Sequence, residues 1–576
     1  MINLLILPKH LFVYLLIYNS AMSSILGKKV TLLLYFLLAL VYVSGLFIPL
    51  MENDSAQHAT MAMHMYLEND FINLMKGFND YLDKPHMHFW LAALSFKIFG
   101  VTHWAYRIPA LLFTMIGAFS SYKLSKEFYG INAGHIASLI FLSAQAIILA
   151  NHDVRTDAVL TGASIFAIWQ LVLYVNYGKL KQAILGSIGL GIAFSTKGQL
   201  AVFIVGIMLF SYLLYNRKWK SSFNWKVLVG VIAFFLTCLP MLYAYYHQFD
   251  LHPEKVINGH THISGIRFIF WDQSFNRLTG TGFGSNSTDY FFFFHTLVWA
   301  FLPWGLLAYV AIFYRSKEFV KNKFKYIKNV EFLTIGGFWI VMIVLNLSKS
   351  KLPHYMNSLF PILAVLLAGY LVNLYNKSDF KMLKILLGIQ YFSAILGSLL
   401  AVVLLIFVFG TPNPILLFVN FLLFSALVYT FIKKQEITKK IIVMSVLFSV
   451  FVNFSLNTHF YPKLLEYQAG NNMVKIIKEK KIDPNSIYMI KGSKSWSLNF
   501  YTVHETPEIA ISEMQSIKGK WLFVYKRDFD KLQKQNTKWD ESIEVNHHRI
   551  TMLTASFLNP KTRPKVLNKA YLLHIN

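Results

Sequence analysis

Apolar residues fall along this chain in long unbroken stretches, separated by short polar loops. A window of roughly 20 residues, the helix length that crosses a bilayer, finds thirteen of them. They lie near 30–50, 106–122, 132–150, 158–177, 182–195, 199–215, 227–246, 295–314, 332–347, 355–374, 383–409, 414–432 and 441–457. Each is predicted to be a transmembrane helix, the short stretch 182–195 being a candidate half of a hairpin with 199–215. The first 21 residues are also apolar, but Lys9 and His10 interrupt them and no small-residue cleavage site follows, so they do not fit a signal peptide. Met22 is an alternative start, with Lys28 and Lys29 then flanking the first span; an upstream interfacial helix is the other reading. After residue 457 the pattern changes. Asn471–Lys481 has helical periodicity, and Ser486–Ile490 and Trp521–Tyr525 have the apolar runs of short buried strands. The expected organisation is an N-terminal segment 1–29, a transmembrane region 30–457 with outer loops 51–105 and 247–294, and a small soluble α/β domain over 458–576 on the outer face.

Composition sharpens this picture. Hydrophobic residues make up 55% of the chain and charged residues 14%, where globular proteins carry about 25% charged residues. A soluble enzyme, a coiled coil and a disordered chain are excluded. The net charge of +26 is first a topology signal, and nucleic-acid binding is the poorer inference. Alternate loops carry the excess: Lys28 and Lys29, Lys123 and Lys126, Lys179 and Lys181, Arg217 to Lys226, Arg315 to Lys328, Lys377 to Lys384, and Lys433 to Lys440. The other loops are nearly balanced. The positive-inside rule then puts the N-terminus in the cytoplasm and, with an odd number of spans, the C-terminus outside. Cys238, the single cysteine, excludes an internal disulfide and a cysteine metal cluster, and its apolar surroundings suit a buried small side chain.

Carboxylates cluster at the outer ends of spans: Asp54, Asp83, Asp153 and Asp157. Lys84, Arg155, Lys197, Arg277, Lys349 and Lys351 share that surface. A carboxylate can take a proton from an attacking hydroxyl, and fixed cations can neutralise a phosphate leaving group. Taken singly, each residue has a plainer explanation. Asp54 fits a solvated helix-end charge, and Lys349 and Lys351 fit snorkelling interface residues. Asp153, Arg155 and Asp157 fit a local ion pair of about 0–1 kcal/mol. Ser195-Thr196-Lys197-Gly198 lacks the glycine pattern of a nucleotide loop. Phe291–Ala300, with His295, fits span packing. His86, His88, His260, His262 and His354 lie near the same surface, but a lone histidine is mostly structural, and no metal is assigned.

The order of these residues is more specific than any one of them. Asn53-Asp54 after the first span, then Leu82-Asp83-Lys84-Pro85-His86-Met87-His88-Phe89-Trp90, Ala93–Gly100 and Tyr106-Arg107-Ile108-Pro109 resemble the first outer loop of the bacterial aminoarabinose transferases, which modify lipid A. Those enzymes belong with the protein O-mannosyltransferases in the C-type (GT-C) glycosyltransferase superfamily. Arg155-Thr156-Asp157 resembles the family's second acidic loop, and Ala193–Gly198 its Thr-Lys-Gly turn. Phe301-Leu302-Pro303-Trp304 resembles its Leu-Pro-Trp span, and Ser348–Tyr355 its Lys-Leu-Pro-x-Tyr loop. The resemblance covers about residues 30–375; residues 376–576 match in organisation only.

The resemblance implies an all-α polytopic GT-C membrane protein of the bacterial inner membrane, with its active site and C-terminal α/β domain in the periplasm. It implies inverting transfer of a sugar from a polyprenyl (undecaprenyl) phosphate to a lipid A-like or other envelope glycolipid. Asp54 would be the base or orient the acceptor hydroxyl, and Asp157 would line the head-group cavity. Lys84, Arg277, Lys349 and Lys351 would hold the donor phosphate. Asp83, which replaces the family's usual Glu, would bind substrate with His354, Tyr355 and Lys197. The family's histidine before the arginine is replaced here by Asp272-Gln273-Ser274, so the histidine pattern does not support a divalent metal. The implied partners are the lipid-linked donor, a lipid or glycan acceptor and membrane lipids. A protein O-mannosyltransferase-like activity is the nearest alternative. A lipid-linked sugar flippase is the alternative from another class, disfavoured by the lack of an inverted repeat. The loop alternation has a direct check. In right-side-out vesicles of a Cys238→Ser protein, a cysteine at Lys520 should react with a membrane-impermeant maleimide and one at Lys323 should not; the opposite labelling would invert the topology.

Overall fold

All thirteen apolar stretches are helical in the computed structural model, which describes residues 25–52, 54–280, 287–327 and 330–576, the Arg277 side chain apart. Met22 and most of the segment 1–29 lie outside the described residues. The first span is α1 (Lys28–Leu46). The first outer loop carries α2 (Asp54–Leu67), a two-stranded hairpin of β1 (Met75–Lys76) and β2 (Asn79–Asp80), and α3 (Met87–Phe99). Then come α4 (His103–Tyr129), α5 (Ile131–Ser143), α6 (Gln145–His152), α7 (Asp157–Tyr177), α8 (Leu180–Lys197), α9 (Gln199–Asn216) and α10 (Trp225–Tyr245). The second long loop contains α11 (Gln273–Thr279). It is followed by α12 (Phe292–Ala300), α13 (Gly305–Lys321), α14 (Leu333–Leu347), α15 (Phe360–Asn376), α16 (Phe380–Val403), α17 (Pro414–Ile432) and α18 (Ile437–Ser455).

Among the described residues, eight helices are long and apolar enough to cross a bilayer. The count is nine if α5 and α6, bent by 53° at Ala144, are one span. The expected thirteen crossings are therefore not all met by single long helices. The stretch 295–314 is divided between α12 and α13, and α14 is short. The chain is nonetheless a multi-pass membrane protein. Its spans differ in what surrounds them. In the span formed by α15 and the turn before it, 83% of the apolar window is buried, and in α7 78%; in α17 the figure is 17%. The first two are central, and α17 turns its leucines and phenylalanines outward, as a lipid-facing helix does without cost.

The C-terminal part folds around a five-stranded sheet in the order β4-β3-β5-β7-β6. Its strands are β3 (Ile487–Ile490), β4 (Glu508–Ile509), β5 (Trp521–Tyr525), β6 (Trp539–His547) and β7 (Asn568–Ile575). β3 pairs in parallel with β4 and β5, and β7 runs antiparallel to β5 and β6. α19 (Ala469–Glu479), α20 (Trp496–Thr502) and α21 (Lys526–Lys534) cover it.

Two sets of polar contacts lock this architecture at the α2 end. Arg107 of α4 is fully buried. It donates to the carbonyls of Leu46, which ends α1, of Ile48 and Pro49 just beyond it, and twice to that of His152, which ends α6. Carbonyls at helix C-termini carry partial negative charge and so stabilise the guanidinium. Glu52 is the second lock. Its carboxylate accepts from the hydroxyls of Ser495 and Ser497 and from the backbone N–H groups of Trp496 and Ser497, at the start of α20. Gln468 pairs with the backbone of Glu52 and Leu50. The sheet region is thereby fastened to the strand of chain that leads into Asp54.

Candidate active site

Asp54 is the first residue of α2, and one face of its carboxylate meets Arg155: Oδ2 lies 2.8 Å from Nη1. Asp153 takes the other Arg155 amino group at 2.9 Å. The two acidic loops, distant in sequence, therefore meet through one guanidinium. This follows from Arg107, which joins the carbonyls just before both loops. Arg155 is partly buried, yet Asp153, Asp54 and Asp157 together hold its charge more firmly than in water. Asp54 Oδ1 has no protein partner among the described residues, and half of the side chain is exposed.

Asp157 begins α7 but does not pair with Arg155. Its Oδ1 lies 2.5 Å from Lys197 Nζ at the end of α8, and both side chains are less than 5% exposed. The Lys197 ammonium also sits over the Tyr355 ring at 5.0 Å from its centre. His354 stacks edge-on against Tyr355 and lies within electrostatic reach of Asp157, Lys197, Arg155 and Lys84. Thus α7, α8 and the turn before α15 bring together the Arg-Thr-Asp, Thr-Lys-Gly and Lys-Leu-Pro-His-Tyr segments. A buried ion pair of this kind is expensive to desolvate and more expensive to break from one side.

Lys84 pairs with its neighbour Asp83 at 2.6 Å. Their loop is held from two directions: Tyr245 donates to the Leu82 carbonyl at 3.0 Å, and Gln273 of α11 donates to the Asp83 carbonyl at 2.7 Å. Gly198 explains the Thr-Lys-Gly turn. It has φ +63°, and a Cβ there would overlap the Gln273 side chain. Only glycine allows the end of α8, with Lys197, to approach the residue that holds the Asp83–Lys84 loop. Arg277 belongs to α11, the same helix as Gln273; its side chain lies outside the described residues.

The remaining expected residues sit apart. Lys351 is buried and donates to the Ser287 carbonyl at 2.9 Å, with the Tyr290 ring 5.5 Å away. Lys349 is exposed, and its backbone carbonyl pairs with Ser287 N–H. Both lie on the strand of chain that meets Leu278, Ser287 and Tyr290, so they border the second long loop. The first-loop histidines face inward. His86 bonds to the Ile72 carbonyl at 2.9 Å, and burial pushes it down to about 4. His58 is held well below its ordinary range by burial and then by His88, Lys84 and Arg155. Both are neutral at pH 7, so the positive field here comes from Lys84, Arg155 and Lys197. No group of three His, Cys, Asp or Glu among the described residues is arranged to hold a metal ion. Glu52 and Lys76 escaped sequence reasoning, because nothing in the pattern showed that the C-terminal region folds back beside Asp54.

Known proteins share stretches of this sequence and its fold. A family model described as dolichyl-phosphate-mannose-protein mannosyltransferase matches residues 83–243. The undecaprenyl phosphate-alpha-4-amino-4-deoxy-L-arabinose arabinosyl transferase of Pseudomonas aeruginosa (strain UCBPP-PA14) is 26% identical over 338 residues, which are 57% of this chain and 56% of that one. Its namesake in Edwardsiella ictaluri is 26% identical over 402 residues, 66% of this chain and 67% of that one. The alignment thus spans little more than half of the Pseudomonas relative. The crystal structure of ArnT from Cupriavidus metallidurans bound to undecaprenyl phosphate superposes with a TM-score of 0.71 at 16% identity, covering 95% of this chain and 98% of that one. The fold is shared along nearly the whole chain, and the resemblance carried by the loop motifs is upheld. The buried pair gives this subsection its test. Asp157→Asn and Lys197→Met should each lower the melting temperature in detergent more than the double variant does, because each single change strands a buried partner. Additive losses in the double variant would show that the pair is not coupled.

Proposed function

We propose that this relative of the aminoarabinose transferases is an inverting glycosyltransferase. It moves a sugar from a polyprenyl phosphate, undecaprenyl phosphate in the simplest case, to a lipid A-like or other envelope glycolipid at the periplasmic face. The observation that carries the reading is the meeting of Asp54 with Arg155, beside Asp83–Lys84 and Asp157–Lys197, at one end of a helix bundle. One carboxylate with an open oxygen stands among three fixed cations, which suits a proton-bearing acceptor and a phosphate leaving group.

The residues divide the work as follows. Arg155 fixes Asp54 Oδ2, which leaves Oδ1 to receive the proton of the acceptor hydroxyl. The acceptor oxygen attacks the anomeric carbon from the face opposite the phosphate. The bond between that carbon and the phosphate oxygen breaks, and polyprenyl phosphate departs with both bonding electrons. Lys84, released in part from Asp83, neutralises the departing charge. Asp157–Lys197 and Tyr355 form the buried floor beneath the reacting groups. Lys349, Lys351 and the helix of Arg277 border the donor from the second loop. The polyprenyl chain lies among the apolar spans.

The match of residues 83–243 to the mannosyltransferase model favours a second reading, in which the acceptor is a protein hydroxyl. Both readings share the donor chemistry and are tested together with purified enzyme and an undecaprenyl-phosphate-linked sugar. Asp54→Asn should lower kcat by at least about 100-fold. Lys84→Ala should chiefly raise the donor KM. An Asp54→Asn enzyme with full turnover would remove Asp54 from proton transfer, and unchanged donor kinetics would remove Lys84 from the phosphate site.

A further inference from the structure

The α20 end of the C-terminal region brings a second cationic group to the edge of this site. Trp496 is 8% exposed, and its backbone is fixed from both sides: Glu52 accepts its N–H, and Thr60 of α2 donates to its carbonyl at 3.1 Å. Lys494 Nζ lies 4.4 Å from the centre of the Trp496 ring, and Lys76 Nζ of the β1–β2 hairpin lies 5.9 Å from it. Lys76 also lies over Tyr81, at 6.0 Å. One indole thus carries two ammonium groups, one from the first outer loop and one from the C-terminal region.

The surrounding charges balance one of the two. Glu508 pairs with Lys494 at 2.8 Å, and Glu505 pairs with His64 at 2.8 Å. Lys76 has no ion-pair partner within 4.0 Å among the described residues. Burial and the Lys494 charge lower its pKa, while Asp54 and Asp83 act on it from the active-site side. Gly77, next to Lys76, has φ +65°, and a Cβ there would overlap Lys494 Nζ. The turn is therefore shaped to receive that ammonium against its backbone. Two cations drawn to one aromatic ring repel one another, as the effect of Lys494 on Lys76 shows, and an anion that meets both relieves that repulsion.

We propose that Lys76 and Lys494, beside the Trp496 ring, form a subsite for a phosphate group of the acceptor, so that the C-terminal region takes part in choosing what is glycosylated. This rests on the transferase reading given above, and it adds a residue set to which that reading assigns nothing. The Trp496 backbone is tied to Glu52 and to Thr60 of the helix that begins at Asp54, so the subsite belongs to the acceptor side. Lysine suits the task as a mobile point charge that follows a phosphate without demanding a fixed fork geometry.

Binding to the full-length protein in detergent, with no sugar donor present, tests the subsite apart from catalysis. The probes are bis-phosphorylated lipid A, its fully dephosphorylated form and undecaprenyl phosphate, read by thermophoresis. Wild-type protein should prefer the phosphorylated lipid A. A Lys76→Gln/Lys494→Gln double variant should lose at least about tenfold in affinity for it, with undecaprenyl phosphate affinity unchanged. Lys76→Arg should retain the preference, which separates loss of charge from loss of fold. A wild-type protein without preference, or a double variant that keeps it, would overturn the proposal. A loss confined to undecaprenyl phosphate would also overturn it, by assigning the lysines to the donor. A wild-type protein that shows the preference but transfers no sugar would fail the transferase reading and leave the phosphate subsite standing.

Discussion

Burying Arg107 is the constraint on which the site depends. A guanidinium away from water must find an acceptor for nearly every N–H. Here the acceptors are the carbonyls of Leu46, Ile48, Pro49 and His152. Leu46 and His152 end two helices, Ile48 and Pro49 follow the first, and the acidic residues of the candidate site come just after. Satisfying Arg107 therefore places the chain entering Asp54 beside the chain entering Asp153 and Arg155. The Asp54–Arg155 pair closes the same junction one layer outward. The inner layer fixes the geometry of the outer one, which holds the residues proposed to act.

The same logic extends to the C-terminal region. Glu52 stands two residues before Asp54 and is held by the start of α20. Phe500 and Trp496 pack into the cluster formed by α2, α3 and α4. The sheet is thus joined to the first outer loop by both apolar packing and a charged lock. A region with no chemistry visible in its own sequence becomes a wall of the site through where it docks.

How much of this was legible in the chain depends on the range of the forces involved. The helices were legible, because lipid exposure and burial both demand continuous apolar runs. β5 was read at Trp521–Tyr525, and β3 within a residue, because buried strands are also apolar runs. β6 was missed, since Trp539–His547 alternates charged and apolar residues at a sheet edge. Thirteen crossings were expected, but hydropathy does not register the break between α12 and α13. In the candidate site, Asp54, Lys84, Asp157, Lys197 and Tyr355 were singled out by their order and spacing, and they lie near one end of the bundle. Their partners were not. The plainer reading of Asp153, Arg155 and Asp157 was a local ion pair; Asp153 does meet Arg155, but Asp157 meets Lys197, because the end of α8 passes beside the start of α7. Arg107 was visible only as part of a motif, since a buried cation satisfied by backbone carbonyls leaves no partner residue in the sequence. Lys76, Lys494 and Glu52 were silent for the same reason: their meaning comes from docking between segments far apart in the chain.

The central claim is that the Asp54–Arg155 junction serves sugar transfer onto an envelope lipid. Mass spectrometry of membrane lipids from cells that make the wild-type protein, the Asp54→Asn protein or neither tests it most directly. The account predicts a lipid species heavier by one sugar in the wild-type cells alone. Lipids identical in all three, with the sugar appearing on membrane proteins or lipid-linked sugar merely changing leaflets, would contradict it.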